Sequence, residues 1–261
     1  MRHFTGRFVR FVFLCVLLNA LPASAEEVDL ELVLAMDGSG SVSAEEFQLQ
    51  IEGTAAALQE PSLRQAMLSG PTGKVAIAAL IWSDAAFPKY PTEWHVLQSE
   101  DTIDAFAQRL LRFNNPANAA TRQGKGGGGT AIGDGIVYAL EMIRSNHFNG
   151  LRKVIDVSGD GVETDPWFGK EVFMLPEARV LAAAQNVTIN GLAILTDNSK
   201  LDQYYQMNVI QGPGAFVVKA DDFVDFHRAI KLKLWREISY KLAQLPHKRT
   251  DFNLALQVFA P

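Results

Sequence analysis

Leu32-Val33-Leu34-Ala35-Met36 is apolar at every position and stops abruptly at Asp37-Gly38-Ser39-Gly40-Ser41. An unbroken apolar run of this kind reads as a strand covered on both faces, as in a parallel sheet. The acid and the hydroxyls then fall on the loop at the strand's carboxyl end, where open α/β sheets bind ligands. Gly38 and Gly40 let the backbone bend so that alternate side chains converge. Asp37 brings charge, and Ser39 and Ser41 bring neutral oxygens. Such a set suits a hard divalent cation such as Mg²⁺, which takes one or two carboxylates and keeps several waters. A second acid has to come from elsewhere in the chain.

The same alternation of apolar runs and helical periodicity continues to residue 242. Strands are predicted over 28–36, 75–82, 151–157, 187–195 and 215–219. A more polar strand over 94–97 follows too closely on its predecessor for a crossover helix, so it is expected to be an antiparallel edge. Ser43 and Glu46 form a capping box. Behind it Phe47, Ile51, Ala55 and Leu58 keep helical spacing. Further helices are predicted over 63–68, 102–111, 132–143, 176–185 and 201–207. A closing amphipathic helix over 221–242 carries Phe223, Phe226, Ile230, Leu234 and Ile238 on one face. Strands alternating with helices predict one doubly wound α/β domain, with a mostly parallel six-stranded sheet and one antiparallel edge strand.

The two ends of the chain read differently. Residues 1–25 combine Arg2, Arg7 and Arg10, an apolar stretch from Phe11 to Leu18, and Ala23-Ser24-Ala25 before Glu26-Glu27. That is the pattern of a secretory signal peptide, and its apolar part is too short to span a bilayer. Cleavage leaves residues 26–242 as the domain and 243–261 as a tail of mixed character, with no stable membrane span. Export to the periplasm or beyond is expected. The lone Cys15 leaves with the signal, which excludes disulfides, thiolate zinc sites and cysteine nucleophiles from the mature chain. The full chain carries a net charge of −5. Three arginines and no acids leave with the signal, so the mature chain is more acidic still. That balance gives no sign of a basic nucleic-acid surface, so no nucleic-acid partner is expected.

Asp160 repeats the logic of Asp37. It follows an apolar strand and stands in Ser158-Gly159-Asp160-Gly161. If the two strands are neighbours, their ends lie ~5 Å apart. Two carboxylates at that separation repel by about 3 kcal/mol at an effective dielectric of 20. Either one is protonated, or a cation sits between them. Thr130, after the glycine run at 124–129 and before a helix, can bring a third hydroxyl to the same place. No Gly-Lys-Ser/Thr follows the run, so it reads as a flexible loop rather than a phosphate cradle.

Taken together, Asp37-x-Ser39-x-Ser41, Thr130 in Gly-Gly-Thr-Ala-Ile-Gly-Asp and Asp160 in Ser-Gly-Asp-Gly resemble the metal-ion-dependent adhesion site of a von Willebrand factor type A (VWA) domain. The order along the chain matches too. Within that fold the chain is most similar to bacterial exported proteins of the DUF1194 type. The resemblance implies that the first and fourth strands are neighbours and that Asp37 and Asp160 face one ion, acting largely through water. It implies direct coordination by Ser39, Ser41 and Thr130, with Mg²⁺, Mn²⁺ or Ca²⁺ as the ion. It also implies a protein partner that offers an Asp or Glu carboxylate to the open position. Binding rather than turnover is then expected. A metal-dependent hydrolase or phosphotransferase and a structural subunit of an envelope complex are the alternatives. Asp134 reads as an acid in the first turn of a helix. Asp165 reads as a loop or cap residue, and Trp167-Phe168 as a candidate apolar contact near Asp160. The histidines show no paired spacing for zinc.

Overall fold

A computed structural model of the chain describes residues 25–113, 129–164 and 173–239. The signal segment up to residue 24, the tail over 243–261, most of the 124–129 glycine run, Asp165 and Trp167-Phe168 lie outside the described residues. The central sheet is built on β2 (Leu30–Asp37), with β3 (Val75–Trp82) on one side and β7 (Lys153–Gly159) on the other, all parallel. Beyond β7 come β8 (Thr188–Ile194) and β9 (Val217–Ala220), also parallel. The expected antiparallel edge lies against β3. It comes in two pieces, β4 (Tyr90–Pro91) and β5 (His95–Leu97), because Thr92 interrupts it. There the Thr92 hydroxyl and N–H both bond Ala79.

Every residue of β2 and β3 is buried. Their alternate side chains feed two separate cores, as period two requires. Leu30, Leu32, Leu34 and Met36 face one core, with α1 (Ala44–Leu58), α2 (Pro61–Leu68), α3 (Glu100–Leu110) and α7 (Phe226–Ser239). Val33 and Ala35 face the other, with α4 (Ile132–Ser145), α5 (Leu175–Ala184) and α6 (Leu201–Tyr204). The fold is thus a mostly parallel sheet with helices on both faces. Among the described residues, no helix is long and apolar enough to cross a membrane.

The first strand departs from the predicted 28–36 run. Asp29 breaks it, because its carboxylate accepts from the N–H groups of Thr72 and Lys74 and turns the chain there. The preceding β1 (Glu26–Val28) pairs instead with β6 (Phe148–Gly150) in a small parallel sheet of its own. The fourth predicted strand starts later than 151, since Leu151 and Arg152 form the turn from β6 into β7. The closing helix starts at Phe226 rather than 221. Asp222 and Asp225 spend their carboxylates on backbone N–H groups before it, which holds a turn there. The predicted 201–207 helix ends after one turn and continues as a π-helical turn, Tyr205–Val209.

Candidate metal centre

β2 and β7 are hydrogen-bonded neighbours in register, with Met36 opposite Ser158. Their carboxyl ends therefore deliver Asp37 and Asp160 to one place, as the sequence predicts. Asp37 is fully buried. Its Oδ1 accepts from the Ser39 N–H at 2.7 Å, and the Gly38 N–H donates to the Trp82 carbonyl at 2.8 Å. These bonds fold the loop back. Ser39 Oγ lies 3.1 Å from Ser41 Oγ, and Ser41 Oγ donates to Asp160 Oδ1 at 2.8 Å. A continuous polar chain thus runs Asp37, Ser39, Ser41, Asp160 across the ends of the two strands. Ser41 is exposed and the other three are buried, so the cluster opens to solvent on the Ser41 side.

Thr130 is brought in from the other loop. Its N–H donates to Thr164 Oγ1 at 3.0 Å, and its carbonyl accepts from the Thr164 N–H at 2.9 Å. The next residue, Ala131, donates to the Ser83 carbonyl at the end of β3. The Thr130 hydroxyl lies beside Gly161, 3.4 Å from where a Cβ would stand there. All five predicted residues therefore gather at the carboxyl edge of the sheet. Asp134 takes no part. Its carboxylate is paired with Lys89 Nζ at 2.6 Å, which fits its reading as an early-helix acid.

The electrostatics are those of two acids kept from water. Burial pushes the Asp37 carboxyl from 3.8 up to about 7, and the charge of Asp160 adds to the rise. The Ser39 bonds and the Asp160 backbone N–H oppose it. Burial pushes Asp160 up as well, the Ser41 bond opposes this, and Asp197 and Glu46 nearby add to it. Asp37 Oδ2 is buried with no hydrogen-bond partner among the described residues. A buried acceptor without a donor costs about 1–3 kcal/mol, and more when charged. Among the described residues, no three His, Cys, Asp or Glu side chains come together as a metal cluster. Any cation here would rest on two carboxylates and three hydroxyls. That donor set fits a hard divalent ion, and the unsatisfied Asp37 oxygen gives such an ion something to neutralise.

A family described as "Protein of unknown function (DUF1194)" has a sequence model that matches residues 27–242. The chain belongs to the DUF1194 family. A search of curated proteins finds no significant match. Solved structures show that this DUF1194 chain has the VWA fold. It is similar to the VWA domain of the type V pili tip protein Mfa5 from Porphyromonas gingivalis, with 11% identity and a TM-score of 0.52, over 86% of this chain and 99% of that one. It is similar to the pilus adhesin SpaC from Lactobacillus rhamnosus GG, with 13% identity and a TM-score of 0.55. That match covers 83% of this chain but only 32% of the adhesin. Proximal thread matrix protein 1 from the mussel byssus, solved with a zinc-occupied MIDAS motif, matches at 18% identity and a TM-score of 0.50, over 81% of this chain and 48% of that one.

Several residues that order this candidate site in the DUF1194 chain carry no signal in the sequence. Gln50 on α1 donates to the Asp37 carbonyl at 3.2 Å and accepts from Ser158 Oγ, joining the ends of β2 and β7. Its position in a helical pattern reads only as polar. Glu163 caps two helices at once, accepting from Gly133 N at 2.8 Å and from Leu175 N at 2.9 Å. Thr164 next to it holds Thr130. Glu163→Ala is expected to lower stability by about 2 kcal/mol, the sum of two modest caps. Urea unfolding of the variant beside the parent measures this.

Proposed function

We propose that this chain is an exported, non-enzymatic binding module that captures a protein partner through a divalent cation. Asp37, Ser39, Ser41, Thr130 and Asp160 are the residues we assign to holding the ion, Mg²⁺ first, with Mn²⁺ or Ca²⁺ able to replace it. When bound, the ion supplies positive charge and a coordination position for an Asp or Glu side chain of the partner. The chain's own residues do the rest. The three hydroxyls offer neutral oxygens, so the charge is not quenched by direct carboxylate contacts. Asp37 and Asp160 make the pocket negative enough to hold a cation and repel an acidic partner in its absence. Fixed by Thr164 and by Ser83, the Thr130 loop holds its hydroxyl next to the Asp160 loop. Exposure of Ser41 leaves a side from which a partner carboxylate approaches. Residues 1–25 act in this reading as the export signal.

One observation carries the proposal: a fully buried Asp37 carboxylate with an unpartnered oxygen, joined through Ser39 and Ser41 to a second buried acid. Calorimetric titration with Mg²⁺ and Mn²⁺ tests the site. Ser41→Ala and Thr130→Ala are each expected to weaken binding by roughly tenfold, the value of one lost oxygen contact at 1–2 kcal/mol. A pull-down from envelope extract, with and without chelator, tests the function. Capture that is lost with chelator supports it. Turnover of a phosphate ester would replace it with an enzyme, and capture indifferent to chelator would replace it with a structural subunit.

A further inference from the structure

Tyr205 is wholly buried, and its hydroxyl has no hydrogen-bond partner among the described residues. It stands at the start of the π-helical turn Tyr205–Val209. Turns of this kind inside helices are rare and occur often at functional sites. The ring lies in a slot that two glycines on adjacent strands leave open. A Cβ at Gly191 on β8 would stand 2.7 Å from Tyr205 Cδ1. A Cβ at Gly159 on β7 would stand 2.7 Å from the Tyr205 hydroxyl and 2.7 Å from Asp37 Oδ2. The phenol oxygen and the orphan carboxylate oxygen therefore approach the same point, at most twice that distance from each other.

Two unsatisfied polar atoms share this corner, one a donor and the other an acceptor. A phenylalanine would fill the same slot and remove one of them, so packing does not account for the hydroxyl. We propose that Tyr205 is a positioning residue of the cation site: its hydroxyl donates to Asp37 Oδ2, directly after a small shift or through one water, and holds the ionised carboxylate in place when a cation is bound. This rests on the binding function proposed above and adds a sixth residue to it. The preceding residue supports the same arrangement. The Tyr204 hydroxyl accepts from the Glu163 N–H at 3.2 Å. The Tyr204 hydroxyl thus holds the loop that carries Asp160 at Glu163, while the Tyr205 hydroxyl lies beside Gly159 at the end of β7.

Mn²⁺ titration of Tyr205→Phe, with melting in chelator measured in parallel, tests the proposal. Mn²⁺ affinity is expected to fall roughly tenfold, as for one hydrogen bond to a charged group. In chelator the variant is expected to melt no lower than the parent. Placing 4-aminophenylalanine at 205, which keeps a donor on the same ring, is expected to restore affinity. Equal loss in both variants would mean that the phenol oxygen acts other than as a donor, and unaltered affinity in Tyr205→Phe would remove the role altogether. Either result overturns the positioning role while Ser41→Ala still reports on the site. A variant that unfolds in chelator would make the hydroxyl structural, which also overturns it. A parent that does not bind Mn²⁺ overturns this proposal and the cation site together.

Discussion

Asp37→Asn is expected to abolish stabilisation by Mg²⁺ or Mn²⁺ and, in chelator at pH 8, to make the protein more stable than the parent. Both effects come from one buried carboxylate. Its ordinary value is 3.8, and the fold pushes it to about 7. Above pH 7 the folded protein holds a desolvated charge that the unfolded chain holds in water. The gap corresponds to about 4 kcal/mol of lost stability at pH 8. Below about pH 4 both states are protonated and the loss vanishes, so in chelator the Asp37 contribution falls as pH rises from 4 to 7. A neutral asparagine escapes that loss but buries an amide N–H donor in place of a carboxylate oxygen. A net gain on the order of 2 kcal/mol remains, or roughly 4–8 °C in melting temperature.

A cation reverses the parent's behaviour because it favours the ionised form. At a hundred times the dissociation constant it is expected to add about 2.7 kcal/mol, roughly 5–10 °C for a domain of this size. The pH dependence separates this from other buried acids. Asp156 is also pushed up to about 7, by burial and by the Glu237 charge, against the pull of Lys233. Its share is the same with and without cation, so the difference between the two melting curves isolates the metal site. No cation-dependent shift in the parent, or a metal-free Asp37→Asn that melts lower, would contradict this account.

What was legible in the sequence and what was not divide along a physical line. The strands β2 and β3 are buried on both faces, and their apolar runs say so without help from neighbours. Four of the five candidate residues, Asp37, Ser39, Ser41 and Asp160, stand out because acids and hydroxyls among glycines directly follow such strands, and Thr130 because it follows a glycine run and precedes a helix. Breaks set by long-range bonds were hidden. Asp29 ends β1 because Thr72 and Lys74 come to it from over forty residues away. Likewise the slot for Tyr205 needs Gly159 and Gly191 on adjacent strands, which no local pattern couples. Tyr205 itself reads as one of two adjacent tyrosines in a short helix.

Lys233→Met is expected to be the most destabilising substitution away from the site. Lys233, on α7, is fully buried between two carboxylates. Its Nζ lies 2.5 Å from Asp156 Oδ1 on β7 and 2.7 Å from Glu237 Oε1 one turn on. Asn190 on β8 donates to the same Glu237 oxygen and accepts from the Phe216 N–H. One ammonium thus serves two acids, and burial with the Glu237 charge raises Asp156 against the pull of Lys233. Removing the ammonium strands both acids in the core, at a cost of about 3–5 kcal/mol. In a domain of this size that is a drop of roughly 10–15 °C, read by calorimetry.

The prediction turns on whether the loss comes from the missing lysine or from the acids left behind. Replacing a whole buried charge cluster by matched neutral side chains is often neutral or stabilising. Lys233→Met combined with Asp156→Leu and Glu237→Gln keeps an acceptor for Asn190 and removes every charge. This triple variant is expected to recover most of the melting temperature. Asp156 points to the α7 face of β7, whereas Asp160, four residues on, lies at the cation site. The triple variant is therefore expected to bind Mn²⁺ within twofold of the parent. Recovered stability with weakened binding would mean instead that the pairing of α7 with β7 sets the position of Asp160. A triple variant as unstable as Lys233→Met would mean that the ion pairs hold α7 on the sheet by their own attraction.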